Sequence, residues 1–196
     1  MNFLGHLYFS NNDTQLMYAN IFGDFVKGKD LSHYSQPIQN GIILHRKIDD
    51  YIDNHPIVRE LIHTLYKPLP KVAGIAVDLY FDHLLANNWE KYCNTELNDF
   101  ILQFENAQID RAEMKNEEFW SVIDRMKKGE WLQHSASEYG LRKSSEGVSR
   151  MISFPNVLNE APIVYKNNQQ IIENTFHRFM EEAVPFFKDY YTTTLR

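Results

Sequence analysis

Apolar positions recur at helical spacing along nearly the whole chain. Leu44, Ile48, Tyr51 and Ile52 share one arc at about 100° per residue, and Val77, Phe81, Leu84 and Leu85 share another. The pattern predicts a first helix from Asp13 or Thr14 through Val26, closed by Gly28. Others are expected from about Ile38 to Asp53, over Ile57 to Tyr66, and from Lys71 to about Tyr92, the last the most apolar of the four. Prolines fit as punctuation: Pro56 follows the second, while Pro68 and Pro70 stop the third. Downstream, the expected helices cover Thr95 to Gln108, Glu117 to about Gly140, Leu141 to Phe154 and Asn167 to Tyr191. No stretch alternates with period two, and no repeat or low-complexity linker interrupts the pattern. An all-α, single-domain helical bundle over residues 1–196 is the expectation.

Composition agrees with a packed core. Hydrophobic residues make up 43% of the 196 positions and aromatic ones 14%, enough to offset the entropy of ordering the chain. The lone cysteine, Cys93, excludes an intramolecular disulfide and a cysteine-rich zinc site, which fits a reducing compartment. The opening segment lacks a basic n-region, and its apolar stretch is broken by His6 and Asn11, so it does not read as a signal peptide. No apolar run approaches the roughly 20 residues of a membrane span. A soluble, cytoplasmic protein is expected.

A net charge of −6 argues against a general nucleic-acid binder. That charge is unevenly spread. Acidic side chains dominate residues 96–118, whereas Arg125, Lys127, Lys128, Arg142, Lys143 and Arg150 form a mildly basic stretch. Such runs are either ordinary solvated surface or a docking face for an acidic partner or a phosphate.

The chemistry-bearing residues cluster in the first 83 positions. His45 and Asp49, and again Asp78 and Asp82, stand four apart, so each pair shares one face of its helix at the border of the apolar arc. Enclosing carboxylates in apolar sequence is costly unless a cation or hydrogen bonds compensate. A divalent metal is one solution, with Asp24 and His6 nearby in the chain. The alternative pairs Asp78 and Asp82 with Arg or Lys from another helix and makes His45 a hydrogen-bonded core histidine. Mixed Asp and His ligation without Cys suits Mn²⁺, Mg²⁺ or Fe²⁺. His83 points about 100° away from Asp82 on a helix, so it is expected to act from another angle. Asp53 and His55 fall at a helix end, where capping is the expected job. Nucleotide-binding glycine loops, a nucleophile elbow and a His-Glu-x-x-His motif are absent from the sequence.

Four segments carry a family resemblance: Met1-Asn-Phe-Leu-Gly-His6-Leu, Gly23-Asp24-Phe-Val-Lys-Gly28, His45-Arg-Lys-Ile-Asp49 and Asp78-Leu-Tyr-Phe-Asp82-His83. Together they resemble the bacterial acyl carrier protein phosphodiesterase family, regarded as a remodelled relative of HD-type phosphohydrolases. The resemblance implies an HD-phosphohydrolase-like helical fold and manganese-dependent hydrolysis. The implied substrate is holo-acyl carrier protein, which would lose 4′-phosphopantetheine and become the apo form, without nucleic acid or membrane. The chain departs from the standard HD pattern in having Asp82-His83 in place of a His-Asp dipeptide.

On this reading Asp24, His45, Asp49, Asp78 and Asp82 are the expected metal ligands, with His6 and His83 as catalytic groups. Lys27, Arg46 and Lys47 would neutralise the phosphate, and Arg142, Lys143 and Arg150 would dock the carrier. Two rivals remain: a hydrolase of nucleotides or other small phosphoesters on the same scaffold, and a non-catalytic helical binding protein.

Overall fold

The helical periodicity is realised as eleven α-helices, with no strand among the described residues. The computed structural model describes residues 1–195; Arg196, the last position of the expected domain, lies outside the described residues. The helices are α1 Phe3–Tyr8, α2 Thr14–Phe22, α3 Gln36–Asn54, α4 Pro56–Leu65, α5 Ala73–Asn87 and α6 Trp89–Tyr92. They continue as α7 Leu97–Asn106, α8 Glu117–Lys128, α9 Glu138–Met151, α10 Ala161–Asn167 and α11 Gln169–Tyr190. The all-α expectation holds, and no helix is long and apolar enough to cross a membrane among the described residues.

Local chemistry explains most boundaries. The Asp13 carboxylate accepts from the Leu16 amide at 3.1 Å and starts α2. Asn116 and Ser137 cap α8 and α9 in the same way. Two expected helices are shorter than the periodicity predicts. The helix expected to reach Tyr92 ends at Asn87, where the Asn88 side-chain amide donates to the Leu84 carbonyl at 2.8 Å and α6 starts afresh. The helix expected to reach Gly140 stops at Lys128: the Gly129 amide closes on the Arg125 carbonyl and Glu130 turns into the left-handed region at φ +51°.

The helix α1 has no signature in the periodicity. Six residues are too few to display it, and the Asn2 side chain makes no capping bond. Its free amides are met instead by a side chain about eighty positions away, described below.

The core is built around α5, whose Val77, Tyr80, Phe81, Leu84 and Leu85 are all buried. Phe81 lies 5.4 Å from both Phe176 and Phe179 of α11, and the Tyr80 hydroxyl donates to the Ala161 carbonyl at 2.7 Å. Helices α2 and α3 pack at close range because Gly41 faces Ala19, where an added Cβ would run into Ala19 itself. Gly23, just past α2, is similarly pressed against His45: a Cβ there would sit 2.5 Å from the His45 Cβ. These two contacts fix the depth of α3. Helix α1 packs on both α2 and α5, and α3 packs against α2.

Candidate metal centre

One face of α3 presents His45, Asp49 and Asp53 at successive four-residue intervals. Opposite them, α1 brings His6. The Asp49 carboxylate lies between two imidazoles, with Oδ1 3.2 Å from His6 Nε2 and Oδ2 3.1 Å from His45 Nε2. The two rings stack at 4.3 Å with 21° between their planes, so their Nε2 atoms address the same carboxylate. His6, His45 and Asp49 each offer a ligand atom, all within 4.8 Å of one another. They open into a cavity of about 300 Å³ that Asp24, Asp53 and Asp78 also line.

The tautomer of His6 follows from its neighbour. The Asn20 side-chain NH₂ donates to the His6 carbonyl at 2.9 Å and to Ser10 Oγ at 3.0 Å. A carbonyl only accepts, so the nitrogen side of the amide is fixed there, and Asn20 Oδ1 faces His6 Nδ1 at 2.9 Å. His6 Nδ1 therefore carries the proton. Burial, reinforced by the neighbouring His45 and Met1 ammonium, holds the His6 pKa below its ordinary value against the pull of Asp49, which favours the neutral ring. A neutral ring protonated at Nδ1 aims the Nε2 lone pair at Asp49 Oδ1, so two acceptors confront each other at 3.2 Å. A divalent cation between them resolves the conflict, and the donor set of two imidazoles and a carboxylate suits one. His45 Nδ1, by contrast, is buried without a hydrogen-bond partner.

The surrounding carboxyls are tuned differently. Burial works against the charge of Asp49, yet the two imidazoles beside it, His45 foremost, outweigh burial and hold the carboxyl well below the usual range. Burial pushes Asp53 up, and the nearby Asp78 carboxylate adds to the shift. Asp78 itself binds the Met1 ammonium at 2.9 Å. Burial disfavours that ammonium's charge, but the Asp78 carboxylate more than compensates and raises its pKa.

Asp82 is put to another use than the sequence predicts for it. Its Oδ1 accepts from the Asn2 and Gly5 amides, both at 3.1 Å, and Oδ2 accepts from the Leu4 amide at 2.7 Å. These are the orphan donors at the start of α1, so a carboxylate from α5 caps a helix remote in sequence. Asp82 does not line the cavity. Burial pushes its pKa up to about 7, opposed by the Met1 ammonium and by the Gly5 and Leu4 amides.

The remaining sequence candidates fall in several places. Asp24 is exposed at the cavity wall, just after Gly23. His83 turns away from the cavity and donates from Nδ1 to the Ser135 carbonyl at 2.8 Å, its pKa lowered by burial. Arg46 Nη2 donates to the carbonyls of Val26 and Gly28, at 3.1 and 2.7 Å, and so braces the loop that carries exposed Lys27. Lys47 lies 3.9 Å from Asp50 and over the Phe186 ring. On α9, Arg142, Lys143 and Arg150 all converge on one carboxylate, Glu146, at 3.4 to 3.7 Å.

Two residues escaped the sequence reading. Asp53 extends the His45 and Asp49 spacing by one more turn, a signal present in the chain but read as an end cap. Asn20 left no signal, because its role depends on contacts with α1.

Comparison with known proteins follows the same segments. Residues 1–183 match the family described as acyl carrier protein phosphodiesterase. Among proteins bearing that name, one from Photorhabdus laumondii is 33% identical over 110 residues, 56% of each chain. One from Yersinia enterocolitica is 37% identical over 102 residues, 52% of this chain and 53% of the relative. One from Salmonella agona is 37% identical over 89 residues, 45% of this chain and 46% of the relative. The chain thus spans about half the length of the curated relatives it matches. No solved structure matches it.

Proposed function

This chain belongs to the acyl carrier protein phosphodiesterase family, and on that premise we propose that it cleaves the phosphodiester joining 4′-phosphopantetheine to the serine of holo-acyl carrier protein. His6, His45 and Asp49 would hold the divalent cation, Mn²⁺ being the first choice, with Asp24 within reach at the cavity wall. The supporting observation is the confrontation of His6 Nε2 with the Asp49 carboxylate across 3.2 Å, a gap that asks for a cation. Bound there, the cation supplies Lewis-acid polarisation of a phosphoryl oxygen and acidifies water.

The protein's own groups do the rest. Asn20 fixes the His6 tautomer and ring angle, which sets the direction of its lone pair. Asp53 keeps its proton more tightly than an ordinary aspartate, which suits a group that trades a proton with the attacking water or the departing serine oxygen. Lys27 neutralises the phosphate, and Arg46 is a positioning residue that holds the Lys27 loop through its carbonyls. Asp82 acts on the fold, by anchoring α1 and with it His6. The same reading places the protein in the cytoplasm with its carrier substrate.

The test is release of 4′-phosphopantetheine from holo-carrier with and without Mn²⁺, run beside a panel of nucleotides. Mn²⁺-dependent release from the carrier alone supports the reading. Turnover of a nucleotide without release from the carrier transfers the activity to small phosphoesters, and no Mn²⁺ effect on either turnover or melting temperature would leave a binding protein.

A further inference from the structure

A groove of about 750 Å³ lies outside the metal centre, along the exposed face of α8 and the segment before it. Four cations line it, Arg111, Lys115, Arg125 and Lys128, against two carboxylates, Glu117 and Asp124. Arg111 is paired: its two terminal nitrogens meet Asp124 at 2.7 and 3.3 Å while its guanidinium covers the Trp120 ring at 4.6 Å. Among the described residues, Lys115, Arg125 and Lys128 have no acidic partner within ion-pair distance. Trp120 is locked in place by its indole N–H, which donates to the Met114 carbonyl at 2.8 Å. The arrangement is a rigid aromatic base with unneutralised cations around it.

We propose that this groove docks an acidic face of the protein substrate, a refinement that rests on the carrier reading given above. Two observations support it. The first is charge. Arg142, Lys143 and Arg150 on α9 already share Glu146, whereas Lys115, Arg125 and Lys128 of the groove are exposed with no carboxylate partner among the described residues. Arg111 with Asp124 displays the contact that a partner's carboxylate would copy, a forked guanidinium bond over an aromatic ring.

The second is position. From the opposite face of α8, Phe119 packs 5.1 Å from Phe22 and 5.5 Å from Phe25, the residues on either side of Gly23 and Asp24. Helix α8 therefore backs, by the face turned away from the groove, onto the Gly23–Phe25 turn whose Asp24 lines the metal cavity. A partner that presents a seryl phosphodiester to the cavity covers about 800 Å² of surface in a typical complex, which reaches beyond one turn.

Part of the charge on α8 has a simpler use, since Arg125 and Lys128 sit in its last turn and complement the helix dipole. Lys115 precedes the helix and has no such role, so it separates the two explanations.

The experiment measures binding of apo-acyl carrier protein, which contains no phosphodiester, to the full chain across a salt series. Arg125→Glu with Lys128→Glu is one variant, Lys115→Glu a second, and Lys143→Glu with Arg150→Glu the comparison on α9. The groove double variant should weaken binding at least tenfold and flatten the salt dependence. Lys115→Glu should weaken it about threefold, and the α9 variant less than twofold. Unchanged binding for Lys115→Glu and the groove double variant overturns the proposal, as does a larger loss from α9 or a wild-type protein that does not bind the carrier. Because apo-carrier binding is read apart from release of 4′-phosphopantetheine, failure of the groove and failure of the hydrolytic reading are distinguished.

Discussion

Two helices carry an ionisable pair at the same spacing, and the two pairs do different work. On α3, His45 and Asp49 face a cavity, with His6 closing from across it. On α5, Asp78 and Asp82 also stand four residues apart, yet each is met by a group from the start of the chain: the Met1 ammonium for Asp78, the amides of α1 for Asp82. The difference lies in what lies opposite. A carboxylate facing a lone pair demands a cation; a carboxylate facing three N–H donors is already satisfied. The α5 pair thereby serves the α3 pair, because the helix it anchors is the one that delivers His6.

Substitutions on the two helices should separate these roles. The largest effect is expected for Asp49→Asn, which removes the anionic ligand and should cost more than about a hundredfold in Mn²⁺ affinity, beyond what outer-shell changes produce. Turnover should fall with it, while the metal-free protein keeps its circular dichroism. Full Mn²⁺ occupancy in this variant, measured on purified protein, would remove Asp49 from the centre.

On the other helix, Asp82→Ala leaves three amide donors unmet, at about 1–3 kcal/mol for each one buried, so a loss on the order of 3 kcal/mol or more is expected. Denaturant unfolding of the metal-free protein reads it. An unaltered midpoint together with lost Mn²⁺ would make Asp82 a ligand after all and dissolve the contrast.

A smaller effect falls on the residue that orients His6. Asn20→Ala frees the tautomer and should weaken Mn²⁺ binding about 10- to 100-fold. Isothermal titration is the check, and undiminished affinity would mean that the imidazole needs no such guide.

The smallest expected signal is in the pH dependence of stability without metal. His6 has a lowered pKa, so below 6.5 the unfolded chain takes up protons that the folded one refuses, and stability falls as pH falls. Asp82 acts oppositely. With its folded pKa near 7 and an ordinary value of 3.8, the folded state holds the extra proton between those limits, and stability there falls as pH rises. The two slopes partly cancel in the wild type. Asp82→Asn removes the second, so its stability should drop more steeply than the wild type between pH 6.5 and pH 4; parallel curves would show that Asp82 does not titrate in this range.

Much of the molecule is legible in the sequence alone. The all-α class follows from apolar spacing, because helix formation is governed by neighbours three and four residues apart. His6, Asp24, His45, Asp49 and Asp78 stand out in the chain and do line the cavity, since clustered ionisable groups in apolar sequence need a partner. Asp53 was legible as a third turn of the same stripe. Spacing could not tell the α3 pair from the α5 pair, because the distinction rests on contacts 77 to 80 positions apart in the chain. Nor could it find α1, too short to show a period and capped from α5, or Asn20, whose amide matters only once α1 lies against α2. Local spacing determined which side chains share a helical face; the tertiary structure decided what each face meets, and with it which carboxylates meet backbone donors and which confront a lone pair.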